Sequence, residues 1–243
     1  MPNWCDNYII ISGDTDKMKP IYEYFRKSEI VLDETHKLRN EAMAAGKSMS
    51  DVLQEYPSED NLVMNTLVPR DEEYDRIVSE HDYLLSPQST FYGTKWDFQY
   101  DNANVDTITT EEIILSPNTA WSPCKNFCEK LSKKYGVDVV IQYEEPGNAF
   151  IGRTEYSNGE IIEDEHYEDS YGECKSYMEG LYKLDNDLFW YRLESQLETF
   201  VLESPDKTAI QFIEENIPFI NEELVPRVEQ LFNETKNYNA ELN

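Results

Sequence analysis

The apolar positions of this chain change period along its length, and each change marks an element. Tyr8-Ile9-Ile10-Ile11-Ser12-Gly13 is a β-branched run closed by glycine, which predicts a buried strand. Asp14 or Thr15 then caps a helix in which Met18, Ile21, Tyr22, Phe25 and Ile30 recur at helical spacing, with Pro20 tolerated near its start. Residues 34–56 continue as a more polar helical stretch broken at Gly46, and this stretch reads as an insertion. Residues 61–68 alternate and stop at Pro69, predicting a strand, after which Asp71-Glu72-Glu73 suits the positive end of a helix. Residues 94–100 and 107–115 predict two further strands, the second rich in Thr and Ile. Ser122 as N-cap and Pro123 at the first helical position then open a helix. Its Phe127, Leu131 and Tyr135 share a face as far as Gly136.

Residues 137–143 form the clearest strand. Beyond Pro146-Gly147, the runs 149–156 and 161–167 flank Ser157-Asn158-Gly159-Glu160, and Asn-Gly between such runs signals a hairpin. After about residue 170 the period becomes helical. Cys174, Tyr177, Met178, Leu181, Leu188, Leu193, Leu197, Phe200 and Val201 mark one or two helices. Ser204-Pro205 caps another, which Ile210, Ile213, Ile217, Ile220, Leu224, Val228 and Leu231 line and which Pro218 and Pro226 kink or divide. This order predicts an α+β fold: a ferredoxin-like antiparallel sheet with helices on one face, followed by a C-terminal helical unit. The domain boundaries are set at 1–167, with the insertion at about 34–56, and at 168–243.

Composition bears on function more than on fold. Among the 243 residues, 49 acidic side chains face 21 basic ones, for a net charge of −28. Residues 161–243 hold 20 acidic against 6 basic residues, a net of −14, half of the excess. With 40% hydrophobic residues, 17 Tyr, 10 Phe and 4 Trp, the chain folds rather than remaining a disordered acidic polymer. Four irregularly spaced cysteines and an N-terminus without basic or apolar leader regions predict a reducing cytoplasm. No apolar run approaches the roughly 20 residues of a membrane span, and the negative charge opposes anionic lipid and direct nucleic-acid contact.

The segments Met1-Pro2-Asn3-Trp4-Cys5-Asp6-Asn7, Tyr92-Gly93-Thr94-Lys95-Trp96-Asp97, Thr119-Ala120-Trp121-Ser122-Pro123 and Tyr143-Glu144-Glu145-Pro146-Gly147, in that order, resemble the YubB-like family. The resemblance covers roughly residues 1–167. It implies a ferredoxin-like domain and a plasmid or phage setting, and it supplies no catalytic residues.

Several short motifs carry a possible chemistry beside a plain structural role. Ala45-Gly46-Lys47-Ser48 lacks the glycine a phosphate-binding loop needs at position 41, where Glu41 stands. Cys124 and Cys128 sit one helical turn apart without a second pair at metal-site spacing, so they read as buried thiols. Cys5 with His36, His81 or His166 as base is a conceivable nucleophile, and nothing in the sequence selects a partner. Lys125, Lys130, Lys133 and Lys134 read as a solvated helix face. No catalytic residue, metal or cofactor is assigned, and an enzyme is the less favoured class.

The leading expectation is a non-enzymatic, phage- or plasmid-encoded cytoplasmic inhibitor that binds a basic surface on a host defence or nucleic-acid-acting protein. Glu163, Asp164, Glu165, Tyr167, Glu168, Asp169, Tyr171 and Glu173 are the expected contacts. DNA mimicry is one form of it: a body of this length spans about 45 Å, and duplex DNA of that length carries about 26 charges. The alternative is a small nucleotide-binding protein or enzyme with a pocket at Trp4, Cys5, Trp96, Asp97, Trp121, Glu144 and Glu145, where carboxylates could serve as acid and base and tryptophans as stacking surfaces.

Overall fold

β1 (Trp4–Ser12) buries Cys5, Asn7, Ile9 and Ile11 and turns Trp4, Asp6 and Tyr8 to the opposite, exposed face, the two-residue period of a half-covered strand. It is the central strand of a computed structural model that describes residues 3–55, 62–80, 86–169 and 175–242. The chain divides into two compact units, one of Met1–Glu145 with Arg153–Glu165, the other of Pro146–Gly152 with His166–Asn243.

In the first unit, α1 (Thr15–Ala44) buries Met18, Ile21 and Phe25. It continues unbroken through the start of the expected insertion and ends before Gly46, which takes a left-handed φ of 87°. Pro20 lies inside the helix. The short α2 (Met49–Glu55) completes the polar stretch and buries Val52.

The expected strand at 61–68 is instead the helix α3 (Val63–Leu67); residue 61 lies outside the described residues. The two carboxylate oxygens of Asp97 accept the backbone N–H groups of Met64 (2.9 Å) and Asn65 (2.8 Å), which are orphan donors at a helix start. Val63, Met64 and Leu67 bury together, a pattern as compatible with one helical turn as with a strand. α4 (Glu72–Glu80) begins within the acidic triplet, which lies at its N-terminus as expected, and α5 (Pro87–Tyr92) stops at Gly93 with φ 90°.

Residues 94–100 do not form a strand either. Their one ladder contact among the described residues is a bridge from Gln99 to Leu62, because Thr94 donates to the Ala120 carbonyl and Asp97 is held by α3. A 3₁₀ turn over Tyr100–Asn102 follows. The expected strand at 107–115 is a hairpin of β2 (Val105–Ile108) and β3 (Glu112–Leu115). The Thr109 hydroxyl oxygen accepts from the Glu112 N–H at 2.9 Å and folds the chain back.

β4 (Asn118–Ala120) pairs with the first residues of β1, beside the stretch that pairs with β3. α6 (Lys125–Tyr135) has Cys124 at its N-cap, two residues past the expected cap. Trp121 takes a left-handed φ of 71°, and Ser122 Oγ donates to the Gly93 carbonyl at 2.6 Å instead of capping. Gly136, φ 66°, ends the helix as expected.

β5 (Asp138–Glu145), β6 (Phe150–Ser157) and β7 (Glu160–Glu168) complete the sheet, with Asn158 (φ 51°) and Gly159 (φ 82°) in the left-handed pair that a tight hairpin turn demands. Strand order is β2-β3-β1-β5-β6-β7, with β4 also on β1. Within it, β1, α1, β2, β3, α6 and β5 reproduce the β-α-β-β-α-β order with β1 between β3 and β5, the ferredoxin-like arrangement. Ile9, Ile11, Ile113, Leu115, Val139 and Ile141 from the strands and Phe127 and Leu131 from α6 fill the core.

The second unit contains α7 (Lys175–Leu184), α8 (Asn186–Glu203), α9 (Ala209–Asn216) and α10 (Val225–Leu242) around Met178, Leu181, Phe189, Leu193, Leu197, Phe212, Ile217 and Val228. Cys174 lies outside the described residues. The cap expected at Ser204 falls at Thr208. There a reciprocal box with Gln211 satisfies both the helix start and the cap N–H, which Ser204 followed by proline does not offer. Pro218 follows the end of α9, and Pro226 is the second residue of α10, where no intrahelical N–H bond is lost.

Gly180 in α7 shows how tightly this unit closes. A Cβ built there would lie 2.5 Å from Ile151 Cγ2 and 2.7 Å from Tyr167 Cβ. Gly180→Val is expected to lower unfolding stability by about 1–3 kcal/mol through overpacking, measured by urea denaturation. An unchanged midpoint would show that this contact relaxes freely. No helix among the described residues is long and apolar enough to cross a membrane.

Candidate functional site

Two features of the first unit meet at a concavity of about 530 Å³. β1 presents Trp4 at its start, and the loop after α5 presents Trp96. Their ring centroids lie 6.1 Å apart at 54°, and the residues are 49% and 45% exposed. The lining also includes Asp97, Gln99, Asn102 and Asn118. Lys95 Nζ sits 5.3 Å from the Trp96 ring centroid.

Asp97 is part of the wall rather than a free acid. Burial pushes its carboxyl up, while N–H donors from Asn65, Met64 and Phe98 pull the other way. Its two oxygens are both occupied by the start of α3.

The other residues expected at this pocket do not join it. Cys5 is fully buried, and burial pushes its thiol well up, away from the thiolate a nucleophile needs. Trp121 is 46% exposed and outside the lining. Glu144 and Glu145 are buried in β5, with Glu144 opposite Asp6 in register, and neither lines the cavity, so the carboxylate pairing with Asp97 is not assembled there. Cys5, Cys124 and Cys128 are free, buried thiols. Among the described residues no group of His, Cys, Asp and Glu is arranged to hold a metal ion.

The acidic set on β7 is extensively engaged. Arg153 donates to Glu163 at 2.9 Å, and Asp164 accepts from Lys125 (2.7 Å) and from the Thr154 hydroxyl (2.6 Å). Glu168 lies 3.4 Å from His166 Nε2. Asp169 accepts the N–H groups of Ser176 (3.0 Å) and Tyr177 (2.7 Å) at the start of α7. Tyr167 is half-buried, with Lys183 5.1 Å from its ring centroid, and Glu165 also has a partner. Tyr171 and Glu173 lie outside the described residues. Most of the basic face of α6 is committed as well, since Lys125 binds Asp164, and Lys130 binds Glu73 and Lys134 the Leu67 carbonyl, each of these two at 2.6 Å.

Uncompensated charge appears on α8 instead. Phe189, Trp190, Leu193, Leu197 and Val201 face the core, and Asp187, Tyr191, Glu194, Glu198 and Leu202 face outward at helical spacing, all exposed. No ion pair or side-chain hydrogen bond among the described residues engages Asp187, Glu194 or Glu198. This stripe was available from the sequence as the complement of the apolar positions. Gln99, Asn102 and Asn118 carried no such signal, because they come from a loop, a 3₁₀ turn and a short strand.

Comparison with known proteins bears on the first unit's sheet. Among solved structures, the crystal structure of a protein api92 from Yersinia pseudotuberculosis aligns over 70% of this chain and 99% of its own, at 11% identity and a TM-score of 0.39, a likeness too low to carry an argument. No curated protein matches the chain. Residues 91–187, which run from the end of α5 through β7 into α8, match the family described as the ferredoxin-like domain in Api92-like protein.

Proposed function

We propose that the protein is a non-enzymatic, phage- or plasmid-encoded inhibitor that docks, in the host cytoplasm, on a basic surface of a defence or nucleic-acid-acting protein. The observation that carries this reading is the outward stripe of α8. Asp187, Glu194 and Glu198 stand exposed without cationic partners among the described residues, and Tyr191, 66% exposed, stands among them. Unpaired carboxylates held on a rigid helix steer a cationic partner and fix its register, and an exposed tyrosine supplies contact area at small entropic cost. From Asp187 to Glu198 the stripe extends about 17 Å at 1.5 Å per residue. It presents acids where a nucleic-acid ligand would present phosphates. The net charge of −14 over residues 161–243 and the resemblance to mobile-element proteins support the same reading.

The β7 residues are the weaker part of the expected contact set, since their carboxylates already satisfy Arg153, Lys125 and the start of α7. The test is capture of host proteins by the full chain and by the triple variant Asp187→Asn, Glu194→Gln, Glu198→Gln. A specific partner is expected to be retained by the wild type, released by salt or duplex DNA, and lost by the variant. Equal capture by both chains would overturn the reading.

A further inference from the structure

We propose that the concavity at Trp4 and Trp96 is a binding site for a neutral nucleobase, taken as the free base or its nucleoside. The aromatic surface is the first ground. Trp4 and Trp96 are each about half exposed and tilt at 54° rather than stacking, so neither ring covers the face of the other. A planar heterocycle placed against such a ring gains stacking that is tolerant of base identity.

The second ground is the polar lining. The side-chain carboxamides of Gln99, Asn102 and Asn118 make no hydrogen bond to the protein among the described residues, whereas their neighbour Asn104 spends its Nδ2 on the Ser116 carbonyl. Each free carboxamide presents one acceptor and a donor pair, the complement of a base edge that offers a donor beside an acceptor.

Charge and volume narrow the ligand further. Among the described residues no Lys or Arg lines the cavity, Lys95 sits over the ring of Trp96, and the whole chain carries −28. A nucleoside polyphosphate would bring several negative charges against that field with the Lys95 ammonium to set against them, so the uncharged species is favoured. A saccharide would also stack on tryptophan, but it is usually held by a carboxylate with free lone pairs. Each oxygen of Asp97 already accepts one backbone N–H, from Met64 and from Asn65, which leaves this carboxylate fewer lone pairs to offer sugar hydroxyls. At about 530 Å³ the concavity falls within the range of small-molecule sites and holds a nucleoside.

The test uses the full chain, titrated with adenosine, guanosine, cytidine, uridine and the free bases, alongside ATP and maltotriose, with calorimetry and tryptophan fluorescence as readouts. At least one nucleoside or base is expected to bind and to perturb the fluorescence. Its affinity should fall about tenfold or more in Trp96→Ala, as the loss of a stacking surface predicts, and also in Asn118→Ala. Trp121→Ala, outside the lining, should bind as the wild type does, and circular dichroism of each variant establishes that it is folded. The proposal is overturned if no nucleoside or base binds, if maltotriose binds in their place, if ATP binds more tightly than adenosine, or if folded Trp96→Ala binds unchanged.

Discussion

Raising the pH past about 10 is expected to unfold the sheet unit cooperatively, with buried tyrosines ionising as the structure is lost and not before. Burial pushes the Tyr24, Tyr92 and Tyr156 hydroxyls well above their ordinary value of 10.0 and moves Tyr100 up to about 12. Burial does the same to the Cys5 thiol, and the hydrogen bond with Cys128, together with burial, raises Cys124 above its ordinary 9.0. All of these groups are neutral in the folded state and hold their protons to higher pH than the unfolded chain does. The stability they contribute is therefore complete below the unfolded values. It is lost progressively as the pH rises from about 9 through the folded values. Far-ultraviolet circular dichroism and tyrosinate absorbance, followed together over an alkaline titration, provide the check. Ionisation of Tyr24, Tyr92 and Tyr156 well ahead of the loss of ellipticity would show that these hydroxyls are not sequestered.

Asn7→Ala should lower the stability of the same unit by about 2–4 kcal/mol, from lost hydrogen bonds and from buried acceptors left unsatisfied. Asn7 is 4% exposed, and its Nδ2 lies 2.9 Å from the Cys5 carbonyl, 3.1 Å from the Pro117 carbonyl and 2.9 Å from Thr119 Oγ1. Thr119 in turn donates to the Ser122 carbonyl at 2.7 Å, so one amide starts a chain of bonds that reaches the α6 approach.

The position of Asn7 explains why it is needed. Pro117 separates β3 from β4, and its carbonyl accepts both the backbone N–H and the side chain of Asn7. Without that tie the pairing of Trp4 with Ala120 loses its support at the break. Asn7→Asp would be worse than alanine, because it buries a charge and faces three acceptors with no donor. Urea denaturation of both variants measures the effect, and a loss below about 1 kcal/mol for Asn7→Ala would show that the strand break is held by backbone pairing alone.

The parts of the fold that were legible in the sequence are those whose signal is local. Asn158-Gly159 names its own turn, because both residues accept a left-handed backbone that others resist. The β-branched runs of β1 and β5 and the three- and four-residue steps of α7, α8 and α9 follow directly from which side chains must leave water. The strand that the sequence predicts at 61–68 is a helix over Val63–Leu67 because a short apolar cluster has no definite period. The group that decides for helix is Asp97, more than thirty residues further along the chain. Residues 107–115 predict one strand because Thr and Ile favour extended backbone throughout, whereas the fold-back between β2 and β3 rests on the hydroxyl of Thr109.

The same division runs through the candidate sites. Trp4, Trp96 and Asp97 stood out as aromatic and acidic residues in recurring segments, and they meet at one cavity. Trp121, Glu144 and Glu145 stood out equally and are placed elsewhere by the left-handed turn at Trp121 and the pleat of β5. The β7 acids were legible as charge, yet their cations, Arg153 and Lys125, come from the neighbouring strand and from α6.

The amino-acid order by itself determined the class of fold, the acidic balance and the apolar face of each regular element, because burial and backbone preference act over a few neighbouring residues. Tertiary structure alone decided which carboxylates are neutralised, which cap distant helices and which amides line one cavity with two tryptophans. Hydrogen bonds and ion pairs depend on distances of about 3 Å between groups that the chain brings together only once it has folded.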